Sequence, residues 1–79
     1  MYSLLNQFLA KAPRQTFVLT IDQIDLLVVG GLPRSARTYP VWWRNEDPSH
    51  SHCRAWGDAG FTAHPDLQGQ RVTFRPRAT

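Results

Sequence analysis

The chain has one cysteine, Cys53, one lysine, Lys11, and no apolar run longer than Leu26-Leu27-Val28-Val29. A lone cysteine excludes a secreted miniprotein stapled by disulfides and fits a reducing compartment. The apolar run is far below the about 20 residues a membrane-spanning helix needs. The opening stretch MYSLLNQFLAKAP lacks the basic head of a signal peptide. The expectation is a soluble, cytoplasmic protein with no membrane partner.

Chemical motifs are scarce as well. Gly30-Gly31-Leu32-Pro33 is not followed by the Lys and Ser/Thr of a phosphate-binding loop. No nucleophile-elbow motif surrounds Ser35, Ser49 or Ser51. Glu46-Asp47 reads most simply as a helix cap favoured by the helix dipole. In His50-Ser51-His52-Cys53, helical spacing lets only His50 and Cys53 share an ion, and a structural zinc needs two more ligands. Cys53 reads instead as a small apolar residue. No catalytic residue, cofactor or metal is expected, and the chain is read as a non-enzyme.

What is present is arginine and tryptophan. Seventy-nine residues make one domain, 1–79. Such a chain buries only about 60% of its unfolded surface, so each large side chain counts. Net charge is +3, and eight of the nine basic residues are arginine, whose planar fork binds phosphate or carboxylate bidentately. Lys11 and Arg14 balance Asp22 and Asp25. Arg34, Arg37 and Arg44 then add positive charge with no acid among them, and Arg71, Arg75 and Arg77 make the tail basic again. Two basic clusters predict a polyanion or an acidic surface as partner; the bland alternative is a solvated surface. The densest stretch is Leu32–Phe61, with Trp42, Trp43 and Trp56 among Arg34, Arg37, Arg44 and Arg54. It is either the keystone of the fold or its working face.

Periodicity and punctuation predict an α+β domain. Ser3 opens a helix with Leu4, Leu5, Phe8, Leu9 and Ala12 on one face, and Pro13 stops it. Thr16–Leu19 suits a strand. Thr20 and Gln23 have capping-box spacing, so a second helix starts at Ile21, with Ile21, Ile24, Leu27 and Val28 inward and Gly30-Gly31 at its end. Ser35 caps a short helical piece before Pro40. Asp47-Pro48 starts a third helix running to about Asp58. Phe61–His64 and Arg71–Arg75 are two strands joined through Pro65–Gly69; Val72 and Phe74 point in, and Arg71 and Arg75 point out. The order α-β-α-α-β-β, with three helices and a three-stranded antiparallel sheet, is winged-helix-like in outline. The Gly30–Asp47 stretch is, however, longer than the turn of about 3–4 residues in a helix-turn-helix.

Leu32-Pro33-x-Ser35-Ala36-Arg37, Trp42-Trp43-x-Asn45, Ala55-Trp56 with Gly60, and Val72-x-Phe74-Arg75 form a combined pattern. It resembles a small bacterial domain family of unknown function whose pattern reads LP-x-SAR, WW-x-N, H-S, AW, aG and V-x-F. The resemblance covers about Thr16 to Arg75. Pro40 and Gly57 depart from it, standing where helix-friendly residues are expected. Members of the family stand alone or are fused to other modules, some nuclease-like. The resemblance therefore implies a nucleic-acid neighbourhood and carries no established chemistry.

Two readings follow. In the first, this is a non-enzymatic nucleic-acid-binding module, with DNA ahead of RNA. Arg34, Ser35, Arg37 and Arg44 contact the backbone, with Ser35 offering its hydroxyl and nearby N–H groups at a helix mouth. His50 and Arg54 approach from the third helix, and Arg71 and Arg75 act as a wing. In the second, it is a protein-interaction module or small inhibitor using an exposed Trp43 against an acidic protein surface. Arg37 also has a structural reading, stacked on Trp43 or paired with Asp47. A homodimer through the N-terminal helix stays open.

Overall fold

Thr20 turns the chain from strand into helix. Its hydroxyl accepts from the Gln23 backbone N–H at 3.0 Å, and its own N–H donates to Gln23 Oε1 at 2.8 Å. This is the reciprocal capping box expected from the spacing. Thr20→Ala is expected to lower stability by about 1 kcal/mol, read as a shift in the urea midpoint at constant m-value.

The computed structural model describes residues 2–45 and 51–77. The elements are α1 (Ser3–Lys11), β1 (Phe17–Thr20), α2 (Ile21–Leu26), α3 (Arg34–Thr38), a 3₁₀ turn (Pro40–Trp43), α4 (Ser51–Gly57), β2 (Phe61–Asp66) and β3 (Arg71–Pro76). This is the α+β class and order read from the sequence, with the short helical piece before Pro40 present as α3. The Asp47-Pro48 start signal lies outside the described residues.

The sheet is antiparallel throughout, in the order β1-β3-β2. Phe17 pairs with Phe74 on one side of β3, and Ala63 pairs with Phe74 on the other. Strand alternation turns Val72 and Phe74 into the core and Arg71 and Arg75 outward, as expected. β2 runs two residues beyond the expected His64, through Pro65. An edge strand tolerates proline because one side of its backbone needs no ladder partner.

All helices lie on the inner face. α1 buries Leu5 and Leu9 only; Leu4 and Phe8, expected on the same face, are exposed. The stripe is narrow because α1 packs mainly on α4, where Asn6 Nδ2 donates to the Ala55 carbonyl at 3.0 Å. Ser3 is the first helical residue rather than the cap. The cap position is Tyr2, without a side-chain bond, and Ser3 Oγ accepts from Gln7 Nε2 at 3.1 Å. α2 buries Ile21 and Ile24, and Val28 follows them inward.

The link from α2 to α3 is built on two left-handed glycines, Gly30 at φ +81° and Gly31 at φ +82°. Asp25 Oδ1 accepts from the Leu32 N–H at 2.6 Å and sits where a Cβ on Gly31 would come within 3.0 Å of it. Glycine is therefore required at 31 on two counts, backbone conformation and space. Among the described residues no helix is long and apolar enough to cross a membrane.

Candidate nucleic-acid interface

The tryptophan-rich stretch is first of all the keystone. Pro40 fixes its own φ and opens a 3₁₀ turn, which brings Trp43 inward. Trp43 is 1% exposed, its Nε1 donates to the Ala36 carbonyl at 2.8 Å, and its ring stacks on Trp56 at 5.4 Å between centroids. The expectation of an interaction surface at Trp43 is thus corrected: its indole is spent on the core. Trp42 is the half-buried member of the pair. His52 lies flat on it, with centroids 4.0 Å apart and planes 6° apart, and donates Nε2–H to the Trp42 carbonyl at 2.9 Å. Asn45 is structural too, since its amide exchanges two hydrogen bonds with the backbone of Ala63.

The arginines separate by what holds them. Arg37 reaches Asp22 at 3.2 Å and Asp25 at 3.6 Å; Asp47, the acid expected as its partner, lies outside the described residues. Arg37 bridges two carboxylates of α2 and steadies the glycine link. Arg54 pairs with Asp58 at 3.5 Å one helical turn on, and Arg71 pairs with Asp66 at 3.1 Å across the β2–β3 hairpin. These exposed pairs contribute about 0–1 kcal/mol each to stability, but they cancel charge locally. Arg34 and Arg75 make no ion pair with the described residues, and Arg44 Nε donates to the Val41 carbonyl at 3.2 Å. His50 lies outside the described residues.

The expected contact set is therefore divided. Arg71 and Arg75 stand on the outer face of the sheet, away from the helices, whereas Arg34, Ser35 and Arg44 belong to the helical layer. The helix-mouth site expected at Ser35 is also corrected. Pro33, not Ser35, holds the cap position, α3 has five residues, and the Ala36 N–H is already bonded to the Pro33 carbonyl at 3.0 Å.

Two of the expected residues do meet. Ser35 and Arg44 line one groove of about 220 Å³ with Tyr39, Val41, Trp42 and His52. In a 3₁₀ turn the side chains at i and i+3 eclipse, so Tyr39 and Trp42 stand together, as do Val41 and Arg44. Tyr39 is 58% and Val41 59% exposed, costly surface for so thin a core. Reading Trp43 as the surface residue hid these neighbours; the signal available was Pro40, which starts a three-residue repeat. No acid lines this groove among the described residues.

A larger hollow of about 420 Å³ lies between α1 and α4, where Tyr2 and Asn6 face Arg54 and Asp58. Its two charges neutralise one another, and burial pushes the Tyr2 phenol above its ordinary range, keeping it protonated at neutral pH. Among the described residues no three His, Cys, Asp or Glu side chains are grouped to hold a metal ion.

Fold and groove together define a small α+β domain with one uncovered sheet face and a basic, aromatic groove on its helical layer. The chain belongs to a family described as a domain of unknown function, DUF7662, whose model matches residues 2–78. No curated protein and no solved structure matches it.

Proposed function

We propose that this domain is a small non-enzymatic module that binds nucleic acid, DNA in the first instance, through the α3–3₁₀ surface. One observation carries the reading: the Ser35 hydroxyl, Arg44, the exposed Tyr39 ring and the half-buried Trp42 ring share one groove. Arg34, exposed at the head of α3 beside Ser35, extends the positive rim. Arginine supplies the phosphate contact and the rings supply sequence-tolerant affinity. The winged-helix outline belongs to the same reading, with the β2–β3 hairpin as the wing and α3, rather than α4, nearest the ligand. Cys53, Ala55 and Trp56 turn α4 into the core and leave it little face to offer.

Fluorescence anisotropy with labelled oligonucleotides tests this. With about three phosphate contacts, affinity is expected to fall roughly 20- to 40-fold between about 50 and 200 mM salt. In Arg34→Ala/Arg44→Ala the log–log salt slope is expected to flatten by about two contacts' worth. Absence of binding at the lower salt concentration refutes the proposal.

A second reading, a protein-interaction module, draws on Leu26 and Val29, which are 83% and 63% exposed one helical turn apart at the end of α2. An apolar contact there is weakly sensitive to salt. Persistent binding of a protein partner in high salt, lost in Leu26→Ser/Val29→Ser, would favour it.

A further inference from the structure

We infer that the hollow between the end of α1 and the start of β1 is a binding site for a small aromatic carboxylate, its ring lodged between Phe8 and Phe17 and its carboxylate on Lys11. The site shares no residue with the α3–3₁₀ groove and does not depend on the nucleic-acid reading.

The hollow follows from how the chain leaves α1. Pro13 holds Ala12 extended at ψ 147°, which ends the helix. The Gln15 N–H then donates to the Pro13 carbonyl at 2.8 Å, closing a three-residue turn. The last turn of α1 and the first residue of β1 become walls of one cavity of about 400 Å³, lined by Phe8, Lys11, Ala12, Pro13, Gln15 and Phe17. That volume lies within the range of about 300–1,000 Å³ typical of small-molecule sites.

Phe17 is a fixed floor. Its ring stacks on Phe74 at 5.7 Å and meets Phe61 edge-on at 5.5 Å, so the core holds it from behind while the residue stays half-buried. Phe8 is 42% exposed and makes no ring contact with a described residue. Two rings thus line one hollow without touching, and a third ring between them gains the offset or edge contacts that aromatic pairs favour. Ala12 and Pro13 complete the apolar lining and have no rotamer freedom to lose on binding.

The rim selects the charge. Lys11 makes no ion pair with a described residue, and no acid among the described residues lines the hollow. The helix dipole favours a cation in this last turn of α1 but leaves the three ammonium donors open. The Gln15 side chain, without a hydrogen bond to any described residue, sets an amide donor on the same hollow. An acid with an apolar, planar body answers both the walls and the rim.

The test titrates the ¹⁵N-labelled chain at pH 7 with 2-naphthylacetate and with its neutral analogue 2-naphthylacetamide. The acid is expected to shift the amides of Lys11, Ala12, Gln15 and Phe17 with a Kd of about 1 mM, the order given by drug-like ligand efficiency for about 14 heavy atoms. The amide is expected to bind roughly 2- to 5-fold more weakly, the worth of one exposed ion pair. Lys11→Met keeps the stem and is expected to erase that difference. Phe8→Ala is expected to weaken both ligands by roughly 2- to 12-fold. Phe8 is exposed, so the rest of that variant's spectrum is expected to overlay that of wild type. Sedimentation at the same concentration is expected to show a monomer. Acid and amide binding alike, a preference that survives Lys11→Met, or no shift at these amides overturns the inference. A dimer that Phe8→Ala dissociates also overturns it, because a second copy then covers the hollow.

Discussion

Replacing Trp43 by alanine is expected to leave much of the protein unfolded at room temperature. The substitution removes a ring that is buried, stacked on Trp56 and in edge contact with Trp42, and it orphans the Ala36 carbonyl that Nε1 satisfies. Deleting a buried tryptophan side chain costs about 3–5 kcal/mol, and an unsatisfied buried carbonyl adds about 1–3 kcal/mol. At roughly 0.05–0.15 kcal/mol per residue, a domain of 79 residues holds about 4–12 kcal/mol in total. The loss is thus a third of the stability or all of it. Urea titration followed by far-ultraviolet circular dichroism measures it. Trp43→Phe keeps most of the apolar volume and gives up the hydrogen bond, so it is expected to retain a cooperative transition at a lower midpoint. An alanine variant melting within a few degrees of wild type would mean that Trp43 is not the central plug.

Asn45→Ala is expected to cost about 2–4 kcal/mol, unusual for a side chain that is only half-buried. Asn45 Oδ1 accepts from the Ala63 N–H at 2.6 Å, and its Nδ2 donates to the Ala63 carbonyl at 2.9 Å. It stands where a fourth strand would pair with β2. Ala63 is itself buried, so removing the amide strands two backbone groups away from water, at about 1–3 kcal/mol each before relaxation. Asn45→Asp separates this from simple loss of packing. Its carboxylate still accepts from the N–H but faces the carbonyl with no proton to give. The neutral acid can donate, so folding raises the pKa of the new carboxyl. The deficit is then smallest below about pH 4 and grows as pH rises through that raised pKa. Midpoints measured at pH 3.5 and 7 check the sign; a deficit that does not vary with pH would assign Asn45 to packing alone.

The local grammar of the chain was legible where neighbours in sequence are neighbours in space. Thr20 with Gln23, Gly30-Gly31 after α2 and the alternation of Val72 and Phe74 obey rules spanning a few residues, and the structure follows them. The interface was less legible because it depends on distant partners. Arg37 looked available until the glycine link folded it back onto Asp22 and Asp25, acids the chain passes well before it. Trp42 and Trp43 are adjacent and identical in type. Which of them is buried depends on the 3₁₀ turn after Pro40, and hydrophobicity alone carries no information on that choice. Tyr39 and Val41 lie in a segment without helical or strand period, and only the fold shows them facing out. Asn45 gave no local sign of its role, since its partner lies on another element.

The strand that joins the other two is the last to be made. β3 occupies the middle of the sheet, and among the described residues it is the one strand with which β1 and β2 pair. On a ribosome working from the N-terminus, both edge strands emerge with no ladder to enter, and Val72 and Phe74 arrive only after every helix has left the exit site. The sheet therefore closes in one late event, joining Phe17 to Phe74 across nearly the whole chain. Such long-range closure is slow relative to helix formation. Until residues 71–76 are free, the nascent chain holds its tryptophans and phenylalanines without a shared core, the state in which chaperones and proteases compete for it.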